Sequence, residues 1–187
     1  VLERITLNNT SFPTAASDRV EILRIPQPGP DHKGGMMQFH PSTGEFFLSI
    51  GDGAYGDTAI TPTQPDPRTN NSSQETDNLR GSFIRIMMRD TPNAQGLYYD
   101  IPNDNPFVND PNVKDEIWSY GHRNPWRWAF DTVLPYTLWE TEIGQQGFEE
   151  VNIIQGGNNY GWPICEGNTH RGSDGGDPNF SRDCTND

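Results

Sequence analysis

Apolar residues occur along the chain in short bursts rather than long periodic stretches. Positions 20–25, 36–39, 46–50, 82–88, 116–120, 126–130, 137–143 and 151–154 each gather aromatic and β-branched side chains. Clusters of Gly, Pro, Asn and Asp bound them, so each reads as a strand. No stretch longer than about ten residues keeps its apolar side chains at helical spacing, and helices are expected to be few. Residues 55–78 and 91–114 lack any apolar rhythm and carry several prolines, which predicts two long loops.

Two of the bursts repeat. MQFHPSTGEFFLSIGDG, from Met37, and WAFDTVLPYTLWETEIGQQ, from Trp128, both run from an apolar strand through a Phe and a turn into a second strand. In both, that second strand ends on Ile-Gly and a polar side chain. They lie roughly 90 residues apart, about twice the 40–45 residues of a compact propeller blade, which fits blades with long insertions or a unit of two blades. A propeller closes with about four to eight blades, and 187 residues with loops this long hold too few. The remaining blades are expected in the same protein or in another chain.

Composition narrows the class. Hydrophobic residues make up 32% and aromatics 11%, beside 19 Gly and 16 Pro, as expected of a turn-rich all-β chain with enough rings to build a core. A net charge of −13 argues against a nucleic acid as partner, because phosphates need a cationic surface. A divalent cation is the better charged companion. No run of about 20 apolar residues is present to span a membrane. Cys165 and Cys184 sit in a Gly/Asp/Asn-rich tail, where a disulfide closing the loop 165–184 would tie down a segment with little core of its own. Sequons at Asn8, Asn9, Asn70, Asn71 and Asn179 are glycosylation candidates and fit a secreted chain, extracellular or periplasmic.

Four clusters carry candidate chemistry. In PDHKGG, His32 precedes a glycine pair and a strand, where an imidazole projects from a loop or simply rests on the surface. In SIGDG, Asp52 occupies a strand-ending turn, and its carboxylate is also placed to bond its own backbone. In GHRNPWR, Pro125 pushes Asn124 into an extended or turn conformation, while the arginines have tryptophans to stack on and carboxylates to pair with. ETEIGQQGFEEVN gathers Glu140, Glu142, Glu149 and Glu150 around a Gly-Gln-Gln-Gly turn, either a hard-oxygen environment for Ca²⁺ or a solvated acidic loop.

The order of the motifs is more specific than any one of them. HKGG, IGDG, LRGSFIRI, DNPF, EIWSYGHRNPWRWAFD and EIGQQGFEEVNIIQGGNNYGWP, over residues 32–163, resemble the glucose/sorbosone dehydrogenase family. That family includes soluble quinoprotein glucose dehydrogenases, aldose sugar dehydrogenases and Hedgehog-interacting-protein-like proteins. The resemblance implies a six-bladed β-propeller of which this chain covers the central blades, residues 1–187 being a partial domain. It implies His32 as general base on the sugar C1 hydroxyl, Asp52 as the carboxylate that orients it, Arg123 as the cation facing the carbonyl of pyrroloquinoline quinone (PQQ), and Asn124 as a further cofactor contact. It also implies main-chain carbonyls of Gly144 and Gln145 as Ca²⁺ ligands, and Glu150 with Tyr160 as a second, structural calcium site. The family's Lys and Arg clamp for the cofactor carboxylates has no counterpart here, and RNPWR is nearer to the broad eukaryotic relatives than to the glucose enzymes. Two functions follow: a Ca²⁺- and PQQ-dependent aldose dehydrogenase with a sugar substrate and an electron acceptor, or a non-catalytic extracellular propeller of the Hedgehog-interacting type for adhesion or ligand binding.

Overall fold

The computed structural model describes residues 1–5, 19–27, 29–53, 73–145 and 147–170. All regular structure among them is antiparallel β-sheet. A hairpin of β1 (Leu2–Ile5) and β2 (Arg19–Leu23) comes first. The central sheet runs β3 (Gly34–Phe39), β4 (Phe46–Ile50), β5 (Ser82–Met88), and the far edge of β5 is shared by two short partners. β6 (Tyr99–Asp100) pairs with Met87–Met88, and β7 (Ile117–Tyr120) pairs with Ser82–Ile84. A third sheet is β8 (Pro125–Phe130), β9 (Leu138–Glu142) and β10 (Glu150–Ile154), and a small hairpin of β11 (Cys165–Glu166) and β12 (Thr169–His170) follows.

Burial explains why β4 and β5 are continuous apolar runs. Every residue of β4 is buried, and so are the first five of β5, because the central sheet is covered on both faces. Side chains alternate across a strand, so Phe46, Leu48, Ile50, Ile84 and Ile86 point to one cluster with Ile22 of β2 and Ile117 of β7. Phe47 and Phe83 point the other way, into a second cluster with Trp128, Leu138 and Ile154 of the third sheet. The two sheets are thus stacked face to face, with the repeated segments forming the corresponding hairpins β3–β4 and β8–β9.

The second cluster is aromatic and its polar atoms are satisfied. Phe47 meets Phe130 and Trp118 edge-on at 5.2 and 5.8 Å, and Phe83 meets Trp128 at 5.5 Å. The indole N–H of Trp128 donates to Ser49 Oγ at 3.0 Å, and that hydroxyl donates to the carbonyl of Pro125 at 3.1 Å. Phe83 has no exposed surface at all, so Phe83→Ala leaves a cavity in the joint between sheets. The variant is expected to lose about 3–5 kcal/mol in denaturant unfolding of the full-length protein. A loss below about 1 kcal/mol would mean that the two sheets do not share this core.

The residues of the expected loop 91–114 contain β6 and turns. Of the expected loop 55–78, residues 73–78 are described, and they are not simply surface: Ser73 is buried with its hydroxyl on the carbonyl of His122 at 2.6 Å. Asn8, Asn9, Asn70, Asn71, Asn179 and Cys184 lie outside the described residues. Cys165 is buried in β11. Among the described residues no helix is long and apolar enough to cross a membrane.

Candidate active site

Three loops meet at the end of the central sheet. The turn after β4 is held against the loop before β3 and the loop before β8 by main-chain bonds. Asp52 N–H donates to Arg123 O at 2.8 Å, Gly53 N–H to His32 O at 3.2 Å, and Gly51 N–H to Lys33 O at 3.3 Å. Gly51 is the pivot of this crossing: a Cβ there would lie 2.1 Å from His32 O and 2.9 Å from Arg123 O. His32 itself has φ +49°, a left-handed backbone that a non-glycine residue adopts only where its surroundings hold it.

The crossing places side chains in a line. His32 Nδ1 is 2.8 Å from Asp52 Oδ1, and the other carboxylate oxygen accepts the indole N–H of Trp162 at 2.8 Å. The guanidinium of Arg123 lies over the Trp162 ring, 5.3 Å from its centroid, and donates to Ile143 O at 3.0 Å. Asn124 Oδ1 accepts the N–H of Gly34 at 3.3 Å, and the Asn124 N–H is held by Glu142 Oε1. With Nδ1 committed to Asp52, Nε2 is the histidine atom left to face a reactant. The structure therefore brings together His32, Asp52, Arg123 and Asn124, which come from segments far apart in sequence.

The turn after β9 is organised differently. Glu166 Oε1 collects the N–H groups of Gln145, Gly147 and Phe148, and Glu149 Oε2 accepts that of Gly144 at 3.1 Å. The carbonyls of Gly144 and Gln145 accept no hydrogen bond among the described residues. Glu150 and Tyr160 are engaged separately. Glu150 accepts from the Gly167 N–H and from Asn152, whereas the Tyr160 hydroxyl donates to Ile153 O at 2.6 Å and accepts the Gln155 N–H at 2.9 Å. No hydrogen bond joins the two.

Beneath this turn, Glu140 and Glu142 are buried rather than solvated. They share with Leu138 the inward face of β9, whose outward positions are Trp139 and Thr141. Burial, and then the charge of Glu142, push the Glu140 carboxyl up to about 9, so a proton that the unfolded chain releases near its ordinary value of 4.5 is retained in the fold. Folding takes up that proton between those limits, and stability in the presence of a chelator is expected to fall as pH rises from about 4.5 to about 9. Glu140→Gln should flatten this part of the profile, measured as denaturation midpoint against pH; an unchanged slope would show that Glu140 does not carry it. The sequence pattern does not point to Trp162 or Glu166 as supports of the site, and of the four glutamates it gathers around the turn, Glu140 and Glu142 are buried rather than part of a solvated loop. The glycine-flanked Trp162 in NYGWP is the one signal that the pattern offered.

Comparison with known proteins places this geometry. The sequence model of the family described as "Glucose / Sorbosone dehydrogenase" matches residues 1–186. The chain is 36% identical over 180 residues to the HIPL1 protein of Arabidopsis thaliana, covering 89% of this chain and 24% of that one. Among solved structures it is similar to the soluble aldose sugar dehydrogenase of Escherichia coli in its apo form, with TM-score 0.60 and 31% identity over 87% of this chain and 40% of the other. It is also similar to the PQQ-bound aldose sugar dehydrogenase of Streptomyces coelicolor, with TM-score 0.52 and 31% identity over 77% and 34%. The chain spans about a quarter of the plant relative and no more than 40% of the bacterial structures. Its all-β sheets, its stacked repeat and the ordered motifs around His32 and Arg123 agree with one another, and the chain belongs to the glucose/sorbosone dehydrogenase family.

Proposed function

We propose that the chain forms central blades of a six-bladed propeller that oxidises an aldose at C1 with Ca²⁺ and PQQ. The observation that carries this reading is the fixed line Trp162, Asp52, His32 beside the Arg123 guanidinium. Trp162 fixes Asp52, and Asp52 accepts a hydrogen bond from the Nδ1–H of His32, which leaves the lone pair on Nε2. Nε2 then accepts the proton of the sugar C1 hydroxyl as C1 gives up hydride, and the Asp52 carboxylate stabilises the imidazolium that results. Arg123, held by Ile143 O and the Trp162 ring, presents a fixed cation where negative charge develops.

The residues suit both groups the family uses. The carbonyls of Gly144 and Gln145, which accept no hydrogen bond among the described residues, would offer hard-oxygen donors for Ca²⁺. Glu150 and the Tyr160 carbonyl would contribute to a second, structural calcium. Arg123 and Asn124 would hold the quinone edge, and the clamp for the cofactor carboxylates would come from the remaining blades. When bound, PQQ supplies the two-electron acceptor for the hydride. The protein is further proposed to be secreted, with Cys165 paired to Cys184 and glycans on its Asn-rich loops.

A second reading has its own support, the 36% identity to HIPL1 across most of the chain. In it the same scaffold serves extracellular binding without turnover. Titration of the full-length protein with PQQ, with and without Ca²⁺, followed by a panel of aldoses, separates the two. Calcium-dependent binding and sugar-driven bleaching of the quinone spectrum support the enzyme. Failure of the full-length protein to bind PQQ in the presence of Ca²⁺ overturns it in favour of the binding module.

A further inference from the structure

We propose that His122, Glu140 and Glu142 form a buried site for one divalent transition ion, separate from the calcium positions and independent of the dehydrogenase reading. One donor atom from each residue lies within 4.8 Å of the others, and all three residues are buried.

The way each residue is held points to a ligand. Each has its outer atom fixed by a partner and its inner atom left toward the other two. His122 Nε2 is on Ser119 Oγ at 3.1 Å, which leaves Nδ1 inward. Glu140 Oε2 accepts from Asn152 Nδ2 at 3.2 Å, and its Oε1 is fully buried without a hydrogen-bond partner. Glu142 Oε1 holds the Asn124 N–H, and its Oε2 is hydrogen-bonded to His122 Nδ1 at 3.1 Å, a contact in which an ion would replace the shared proton. Outer partners that orient inner donors in this way are the usual support of a metal site. The imidazole is also clamped, with Tyr160 stacked on it at 4.7 Å and Phe83 against it edge-on at 5.1 Å.

Charge makes the same case. Neither carboxylate pairs with a Lys or Arg among the described residues, so without an ion Glu140 must keep a proton and Glu142 must rest on His122, and a cation between the two would take the place of those protons. One nitrogen and two carboxylate oxygens suit a borderline ion such as Zn²⁺ or Mn²⁺ better than Ca²⁺, which prefers an all-oxygen shell. The 3.1 Å spacing of Nδ1 and Oε2 is already near the roughly 3.3 Å between ligands about 2.0 Å from a tetrahedral ion.

The test uses the full-length protein, stripped with a chelator and then returned to saturating Ca²⁺ so that calcium positions are filled. Titration with Zn²⁺ and with Mn²⁺ by calorimetry should show one further equivalent bound. Glu140→Gln and Glu142→Gln should weaken it by at least about tenfold with the circular dichroism unchanged, and Ser119→Ala by about tenfold through the loss of the imidazole's support. X-ray absorption at the zinc edge of the wild-type protein needs no variant to fold, and should show one imidazole with carboxylate oxygens. No uptake above the calcium-filled protein, uptake unaltered in folded Glu140→Gln, or a zinc shell without imidazole would each overturn the site.

Discussion

His32→Ala in the full-length protein is expected to lower kcat for aldose-driven dye reduction by about 10²- to 10⁴-fold, the share that a positioned base contributes, while PQQ still binds. Asp52→Asn is expected to be nearly as damaging, for a reason that lies in Trp162. The indole N–H donates to Asp52 Oδ2, so an asparagine there must turn its carbonyl to Trp162 and its NH₂ to His32 Nδ1. Nδ1 then becomes an acceptor, the ring proton moves to Nε2, and the atom that would face the proposed sugar has no lone pair to offer. Trp162→Phe removes the donor that fixes the amide while keeping a ring under Arg123. The double variant Asp52→Asn with Trp162→Phe should therefore recover part of the activity that Asp52→Asn loses. Steady-state kinetics of the four proteins form a closed cycle. A double variant no faster than Asp52→Asn alone would refute the tautomer argument, and a His32→Ala enzyme of normal kcat would refute the base.

Such dependence on Trp162 marks the boundary of what a sequence displays. β4 and β5 were legible to the residue, because a strand covered on both faces has no choice but to be an unbroken apolar run. β6, β11 and β12 are two residues long, too short for any alternation, and are held by pairing with strands already in place. β1 offers only Leu-Glu-Arg-Ile, and its partner β2 lies across a separate stretch of chain. β8 starts at Pro125 rather than Trp126, since the first position of a strand has no ladder bond for proline to lose.

In the site, His32, Asp52, Arg123 and Asn124 are implied by the family resemblance that the order of motifs carries, and each stands within two residues of a glycine or proline that shapes its loop. Their supports were hidden by distance and by polarity. Trp162 reaches Asp52 across 110 positions, which no local pattern reports. Glu140 and Glu142 stand in a stretch whose carboxylates face inward while Trp139 faces out, the reverse of the ordinary strand rule. A carboxylate buried against that rule needs a cation or a proton, and only the fold reveals that it is buried.

Gly51→Ala is expected to damage both the fold and turnover. The residue needs no unusual φ; what it lacks is space. The new Cβ would meet the main-chain carbonyl of His32 at 2.1 Å and that of Arg123 at 2.9 Å, and neither is a flexible side-chain end that can swing aside. Two backbones must separate, and the bonds that cross there, Asp52 N–H to Arg123 O and Gly53 N–H to His32 O, must lengthen with them. Overpacking of this kind costs about 1–3 kcal/mol or more. The base and the cation would also move apart, and displacements near 1 Å at a reacting centre cost on the order of 10²-fold in rate. Gly35→Ala is the matched comparison. It has φ +96° but open space where its Cβ would go, so it carries backbone strain without a collision at the crossing. The expectation is that Gly51→Ala loses both melting temperature and kcat, whereas Gly35→Ala loses melting temperature with kcat within a few-fold of wild type. A Gly51→Ala protein with unchanged melting temperature and turnover would show that the three loops do not meet at this point, and the geometry on which His32 and Arg123 were paired would have to be abandoned.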